Sequence, residues 1–155
     1  MLHITVLCIG KTNESYVREG IDKYNKLLSK YSRFEFVELP DVKNGNKLPP
    51  DKLKEAEAML IESHIQERMA VIFLDETGKQ FSSEKFSAYL QKKTTEYSKL
   101  LFVIGGSYGL SESIKKRGES ISLSAMTFNH QMVRVILAEQ LFRAFTIIHG
   151  TGYHH

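Results

Sequence analysis

A single cysteine, Cys8, in 155 residues excludes an intramolecular disulfide and any cysteine-rich zinc site. It sits in the apolar run Ile4–Ile9 and reads as a small core residue, not a nucleophile. No stretch approaches the roughly 18 apolar residues of a membrane span, and no basic n-region precedes the first apolar run. Neither a membrane anchor nor a secretion signal is therefore expected, and the reading is a cytoplasmic protein. Charge of one sign is also scarce: 21 Lys+Arg against 18 Asp+Glu leave a formal +3. A dedicated non-specific nucleic-acid binder carries a stronger basic excess, so charge alone nominates neither RNA nor DNA. There is no internal repeat or low-complexity segment, and the length is that of one domain, residues 1–155.

What is there is an alternation of strand and helix signals. Leu2–Ile9, Phe34–Leu39, Ala70–Leu74 and Leu100–Ile104 are short apolar runs rich in Val, Ile and Phe that end at Gly, Pro or Asp; Ile121–Ser124 is a weaker fifth. Tyr16, Ile21, Tyr24, Leu27 and Leu28 mark one face of a first helix, with Asn13 or Ser15 as its expected N-cap. The stretch from Pro50 to Arg68 predicts a second helix, and Phe86, Tyr89 and Leu90 a third, capped near Ser82 or Ser83. The alternation implies an α/β fold with a mostly parallel sheet flanked by helices. The last segment, His130–His149, is apolar nearly all round, which predicts burial on nearly all sides and a second copy of the chain against Leu141 and Phe145.

Ligands of open α/β sheets bind beyond the carboxyl ends of strands. Three such ends carry chemistry: Asp75-Glu-Thr-Gly78-Lys, Gly105-Gly106-Ser-Tyr-Gly109, and Ala125-Met-Thr-Phe-Asn-His130. The glycine cluster is neither a dinucleotide G-x-G-x-x-G nor a Walker loop, and it reads equally as a tight turn or a ligand loop. Asp75 reads as a turn cap or a ligand-orienting carboxylate. Four of six histidines fall in the final 26 residues, yet none is spaced as a zinc pair, so no metal is expected. There is no G-x-S-x-G elbow for serine catalysis. Lys115-Lys-Arg117 reads as a solvated basic face. In the tail, Tyr153 and His154 offer stacking and hydrogen-bonding groups suited to an exposed base if the tail is ordered.

Leu74-Asp-x-x-Gly78-Lys, Phe102-Val-Ile-Gly-Gly-Ser-x-Gly-Leu110, Ser122-Leu-Ser-x-Met-Thr-Phe-x-His130, Met132-Val-Arg-Val135, Glu139-Gln-x-x-Arg-Ala144 and the ending Tyr153-His154 recur in one order and spacing in a known family. Over its whole length the chain resembles the RlmH (YbeA-type) ribosomal RNA large-subunit methyltransferases of the SPOUT superfamily. The resemblance implies a C-terminal trefoil knot, a homodimer, and S-adenosylmethionine-dependent methylation of N3 of a pseudouridine in 23S ribosomal RNA, on the assembled 70S ribosome. It places the cofactor at Leu74, Gly105, Leu123, Ser124, Ala125, Met126, Thr127 and Phe128. His130 and His154 become candidates near the N3 proton, Tyr153 a base-contacting residue, and Arg134 an RNA or dimer contact. The family ending is usually Tyr-His followed by Arg or Lys, whereas His155 stands here and removes a fixed positive charge. The competing reading is a non-catalytic ribosome-binding dimer of the same fold.

Overall fold

The apolar runs pair as strands that are covered on both faces. In the computed structural model, which describes residues 1–155, the strands are β1 (His3–Ile9), β2 (Arg33–Leu39), β3 (Met69–Gln80), β4 (Lys99–Ile104) and β5 (Glu119–Ser122). They form one parallel sheet in the order β2-β1-β4-β3-β5. Alternate residues explain why both faces must be covered. Ile4, Val6 and Cys8 with Phe102 and Ile104 point to one side, while Leu7 and Ile9 with Leu101 and Val103 point to the other. Helices α1 (Ser15–Leu28), α3 (Ser83–Glu96) and α5 (Met132–Ile148) cover the first face; α2 (Pro50–Glu62) and the short α4 (Glu112–Lys115) cover the second. Connections that step one way along the sheet use one face and those that step back use the other, so all four crossovers share one hand.

Several boundaries differ from the sequence reading, each for a local reason. The second helix ends at Glu62 instead of running to Arg68. Ser63 caps it, and Ile65, four residues after buried Ile61, packs against the core from a loop and prolongs the apparent helical spacing. The N-cap of α1 is Glu14, in extended conformation and without a side-chain cap, not Asn13 or Ser15; the Asn13 N–H is donated to Gln131 Oε1 at 2.7 Å. Ser82 does cap α3, accepting from the Lys85 N–H at 3.2 Å. Strand β3 continues past Leu74 to Gln80, and β5 lies two residues earlier than the apolar signal, over Glu119–Ser122. The two pair on either side of a break, Ile72–Leu74 against Glu119–Ile121 and then Lys79–Gln80 against Ile121–Ser122. The segment Asp75–Gly78 leaves the ladder between them. Gly78 passes so close to β5 that a Cβ there would lie 2.7 Å from the Ile121 nitrogen.

Helix α5 finds its cover inside its own chain. Leu137, Ala138, Leu141, Phe142, Ala144 and Phe145 are all buried in the core beneath α1 and α3. Leu141 and Phe145 therefore correct the expectation of an interface: the sheet and two helices, not a second copy, use the surplus apolar surface. Exposed apolar residues at the amino end of α5 include Met132 and, at the start of α1, Tyr16.

Candidate active site

At the break of β3 after Leu74 and beyond the carboxyl ends of β4 and β5, three segments line a cavity of about 520 Å³. Its apolar wall includes Leu74, Ile104, Leu110, Leu123, Phe128 and Val133. Turn chemistry internal to the 123–131 loop shapes it: the Ser122 hydroxyl donates to the Ser124 carbonyl at 2.7 Å, the Met126 N–H to Ser124 Oγ at 3.0 Å, and the Gln131 N–H to Asn129 Oδ1 at 2.8 Å. Thr127 donates its hydroxyl to Glu76, tying this loop to the broken segment of β3. On the glycine loop, Gly105 packs against Gly109, where a Cβ would meet the Gly109 carbonyl at 2.9 Å, and Gly109 itself has φ +83°. This turn has no room for a side chain at Gly105, while its other positions open onto the cavity. The cluster is thus both a tight turn and a wall.

Among the expected cofactor residues, Leu74, Leu123, Ser124, Met126, Thr127 and Phe128 line the cavity, whereas Gly105 lies buried behind the wall and Ala125 belongs to the same loop without lining it. The lining also carries Asp75, Glu76 and Glu112 against Lys54 and Lys115, three carboxylates facing two amines. Lys115, read from sequence as part of a solvated face, is a wall residue: its ammonium sits 2.8 Å from Asp75 and 2.8 Å from Glu112, and these hydrogen bonds raise its affinity for its proton. Burial pushes the Asp75 carboxyl up, but the Lys115 and Thr77 hydrogen bonds outweigh it and hold the group below the ordinary carboxylate range.

The four residues expected to carry the chemistry do not meet in one chain. His130 lines the cavity. Arg134, the largest fully buried side chain, does not reach it. Its guanidinium donates to the carbonyls of Ile9 at 2.7 Å and Gly10 at 2.9 Å and to Thr12 Oγ1 at 3.0 Å, with Glu38 3.7 Å away. An RNA or dimer contact is replaced by an internal brace. Gln131 adds to it, donating to the Lys11 carbonyl at 3.1 Å. The tail folds back over α5. The Tyr153 ring meets Phe142 edge-on at 4.8 Å with the Arg143 guanidinium 4.9 Å over it, and its hydroxyl donates to Glu139 at 3.2 Å. His154 Nδ1 lies 3.0 Å from an Arg143 nitrogen that can only donate, so Nε2 carries the proton and donates to Glu84 at 2.9 Å. Neither tail residue lines its own chain's cavity.

Two residues near the cavity escape sequence reasoning. Lys54 reaches the lining from α2. Glu57, one turn later, is only 7% exposed and lies against Gly106. The signal for Glu57 was its place between Leu53 and Ile61, a carboxylate at the apolar spacing of an amphipathic helix.

A cavity at the carboxyl side of a parallel sheet, walled by backbone-rich loops, lies where α/β enzymes bind small molecules. The family profile described as "Predicted SPOUT methyltransferase" matches residues 2–154, and the chain belongs to that family. Among its curated relatives, the "Ribosomal RNA large subunit methyltransferase H" of Christiangramia forsetii is 49% identical over 98% of each chain. That of Cytophaga hutchinsonii is 48% identical over 95% of this chain and 96% of its own. A clostridial relative, from Clostridium perfringens, is 43% identical over 99% of each.

Proposed function

We propose that the protein is an S-adenosylmethionine-dependent methyltransferase acting on N3 of a pseudouridine in 23S ribosomal RNA, on the assembled 70S ribosome in the cytoplasm. The observation that carries this reading is the cavity, formed by the break of β3 and the loops after β4 and β5 within a chain that matches a methyltransferase family over residues 2–154. Its residues fit the donor. The volume lies in the range of cofactor pockets, the apolar wall suits an adenosine, and backbone groups of the glycine and 123–131 loops offer hydrogen bonds. The excess of one carboxylate over the amines complements a ligand with net positive charge. When bound, S-adenosylmethionine supplies an electrophilic methyl group for in-line displacement.

The chain's own residues then orient and exclude. Leu74 and Leu123 line the apolar side, and the brace at Gln131 and Arg134 holds the loop that presents His130. His130 is the candidate acceptor of the N3 proton in this chain. Tyr153 and His154 lie away from their own cavity, so their proposed roles require a homodimer in which each tail serves the partner's site. Exposed Tyr16 and Met132 supply apolar surface for that dimer. The C-terminal trefoil knot is part of the same reading, supported by family membership.

Calorimetry with S-adenosylmethionine against ATP, followed by transfer of labelled methyl to ribosomes that carry the unmethylated pseudouridine, tests it. Selective donor binding with label entering 23S RNA is expected. Failure of both would leave the alternative, a ribosome-binding dimer without catalysis.

A further inference from the structure

The charged groups that line the cavity are not equally committed. Lys115 is fully engaged: its ammonium sits 2.8 Å from Asp75 and 2.8 Å from Glu112, which occupies both carboxylates as well. Glu76 accepts the Thr127 hydroxyl but meets no cation. Lys54 is the other remainder. It reaches the cavity from the second turn of α2, is partly buried, and forms neither an ion pair nor a hydrogen bond. The carboxylates beside it in sequence are engaged elsewhere, Glu55 with the Ser113 hydroxyl at 3.0 Å and Glu57 against Gly106. An ammonium drawn partly out of water with no counter-charge is costly. Solubility does not ask for it, since Asp51, Lys52 and Glu55 already occupy exposed positions of the same helix.

We propose that Lys54 is the residue that receives the carboxylate of the methyl donor, an assignment that rests on the function proposed above and adds a specificity-determining side chain to it. S-adenosylmethionine carries one anionic group, the carboxylate of its amino-acid end, beside an ammonium and the sulfonium. Of the two lining amines, only Lys54 can take that carboxylate without breaking an ion pair already made. The bond formed is charge-assisted on both sides and supplies the counter-charge that the side chain lacks. Glu76, the lining carboxylate without a cation, is left to the cationic part of the same molecule. An RNA phosphate is the competing anion. A polyanion entering here would face Asp75, Glu76 and Glu112, whereas a donor with one carboxylate and two cations suits such a surround. The consequence is selectivity for a complete amino-acid end over adenosine compounds that lack the carboxylate.

The test measures by calorimetry the Kd of S-adenosylmethionine, its decarboxylated analogue and methylthioadenosine for wild type, Lys54→Met and Lys54→Arg. Methionine removes the charge and keeps most of the stem; arginine keeps the charge. Wild type is expected to bind S-adenosylmethionine about tenfold more tightly than the decarboxylated analogue. Lys54→Met should lose about tenfold for S-adenosylmethionine and nothing for the other two ligands, so that the preference disappears, and Lys54→Arg should retain it. A wild type indifferent to the carboxylate would overturn the proposal, even if Lys54→Met failed to fold. So would an equal loss for all three ligands in Lys54→Met, the mark of a merely structural role. Full donor affinity in Lys54→Met with weakened methyl transfer to ribosomes would also overturn it and give the ammonium to an RNA phosphate. Wild type that bound none of the three would sink the functional reading itself, and this assignment with it.

Discussion

The Arg134 guanidinium donates to the Ile9 carbonyl oxygen at 2.7 Å across 125 positions of sequence, fastening the last helix to the end of the first strand. Removing it leaves the Ile9 and Gly10 carbonyls without this donor in a dry interior. Arg134→Ala should cost about 3 kcal/mol, read from urea unfolding. Arg134→Lys should recover only a part, because one ammonium cannot span the bonds that the planar fork makes. A normal unfolding midpoint in Arg134→Ala, with only activity lost, would return Arg134 to the role of a substrate contact.

Glu57 makes stability depend on pH in the direction opposite to an ordinary paired carboxylate. Its folded value of about 7 lies above the reference 4.5, so its contribution is fully present below that reference and is lost as pH rises through 7. Glu57→Gln should therefore gain on wild type as pH rises, by at most about 3 kcal/mol at pH 8, with little difference near pH 4. Paired denaturation curves at the two pH values check the sign. A gain at acid pH instead would contradict it.

Asp75 behaves the other way. Its carboxyl is held low, so its stabilisation is present at neutral pH and lost as pH falls through its folded value. Asp75→Asn removes the Lys115 partner and the charge imbalance of the cavity. The donor Kd should rise about tenfold, and added salt should then affect it less than in wild type. Calorimetry at two ionic strengths decides this, and an unchanged Kd would mean that cavity charge does not select the donor.

Helix α5 separates core from surface by position. Leu141→Glu places a charge among buried residues and should abolish folding, seen as loss of cooperative thermal unfolding. Met132→Glu, at a residue 42% exposed, should leave Tm nearly unchanged while lowering the sedimentation mass from that of the proposed dimer. An unaltered dimer would move the interface elsewhere.

Much of this organisation was legible in the residues themselves. Strand positions followed from apolar runs, and the cavity walls followed from asking what lies beyond strand ends, because in a parallel sheet those ends gather on one side. What escaped was whatever depends on distant partners. Lys79 and Gln80 carry no strand signal and are extended only because Ser122 and Ile121 pair with them. Arg134 and Glu57 are charged residues on the inward sides of their helices, and a one-dimensional pattern does not reveal which main-chain groups await them. The tail's direction was equally hidden, since it is set by Glu84 and Glu139, on two separate helices.

The brace at Arg134 also bears on how the chain is made. Synthesis runs from the amino terminus, so β1 exists long before the residues that satisfy its end. One edge of β1 pairs with β2, but the other must wait for β4, from His3 opposite Lys99 onward, and its last carbonyls must wait for α5. Such non-local pairing is slow, and until it closes an apolar strand is open to other chains. The nascent protein is accordingly most vulnerable to aggregation just before its final helix docks, and a truncation before Gln131 should yield insoluble chains, not a smaller folded domain.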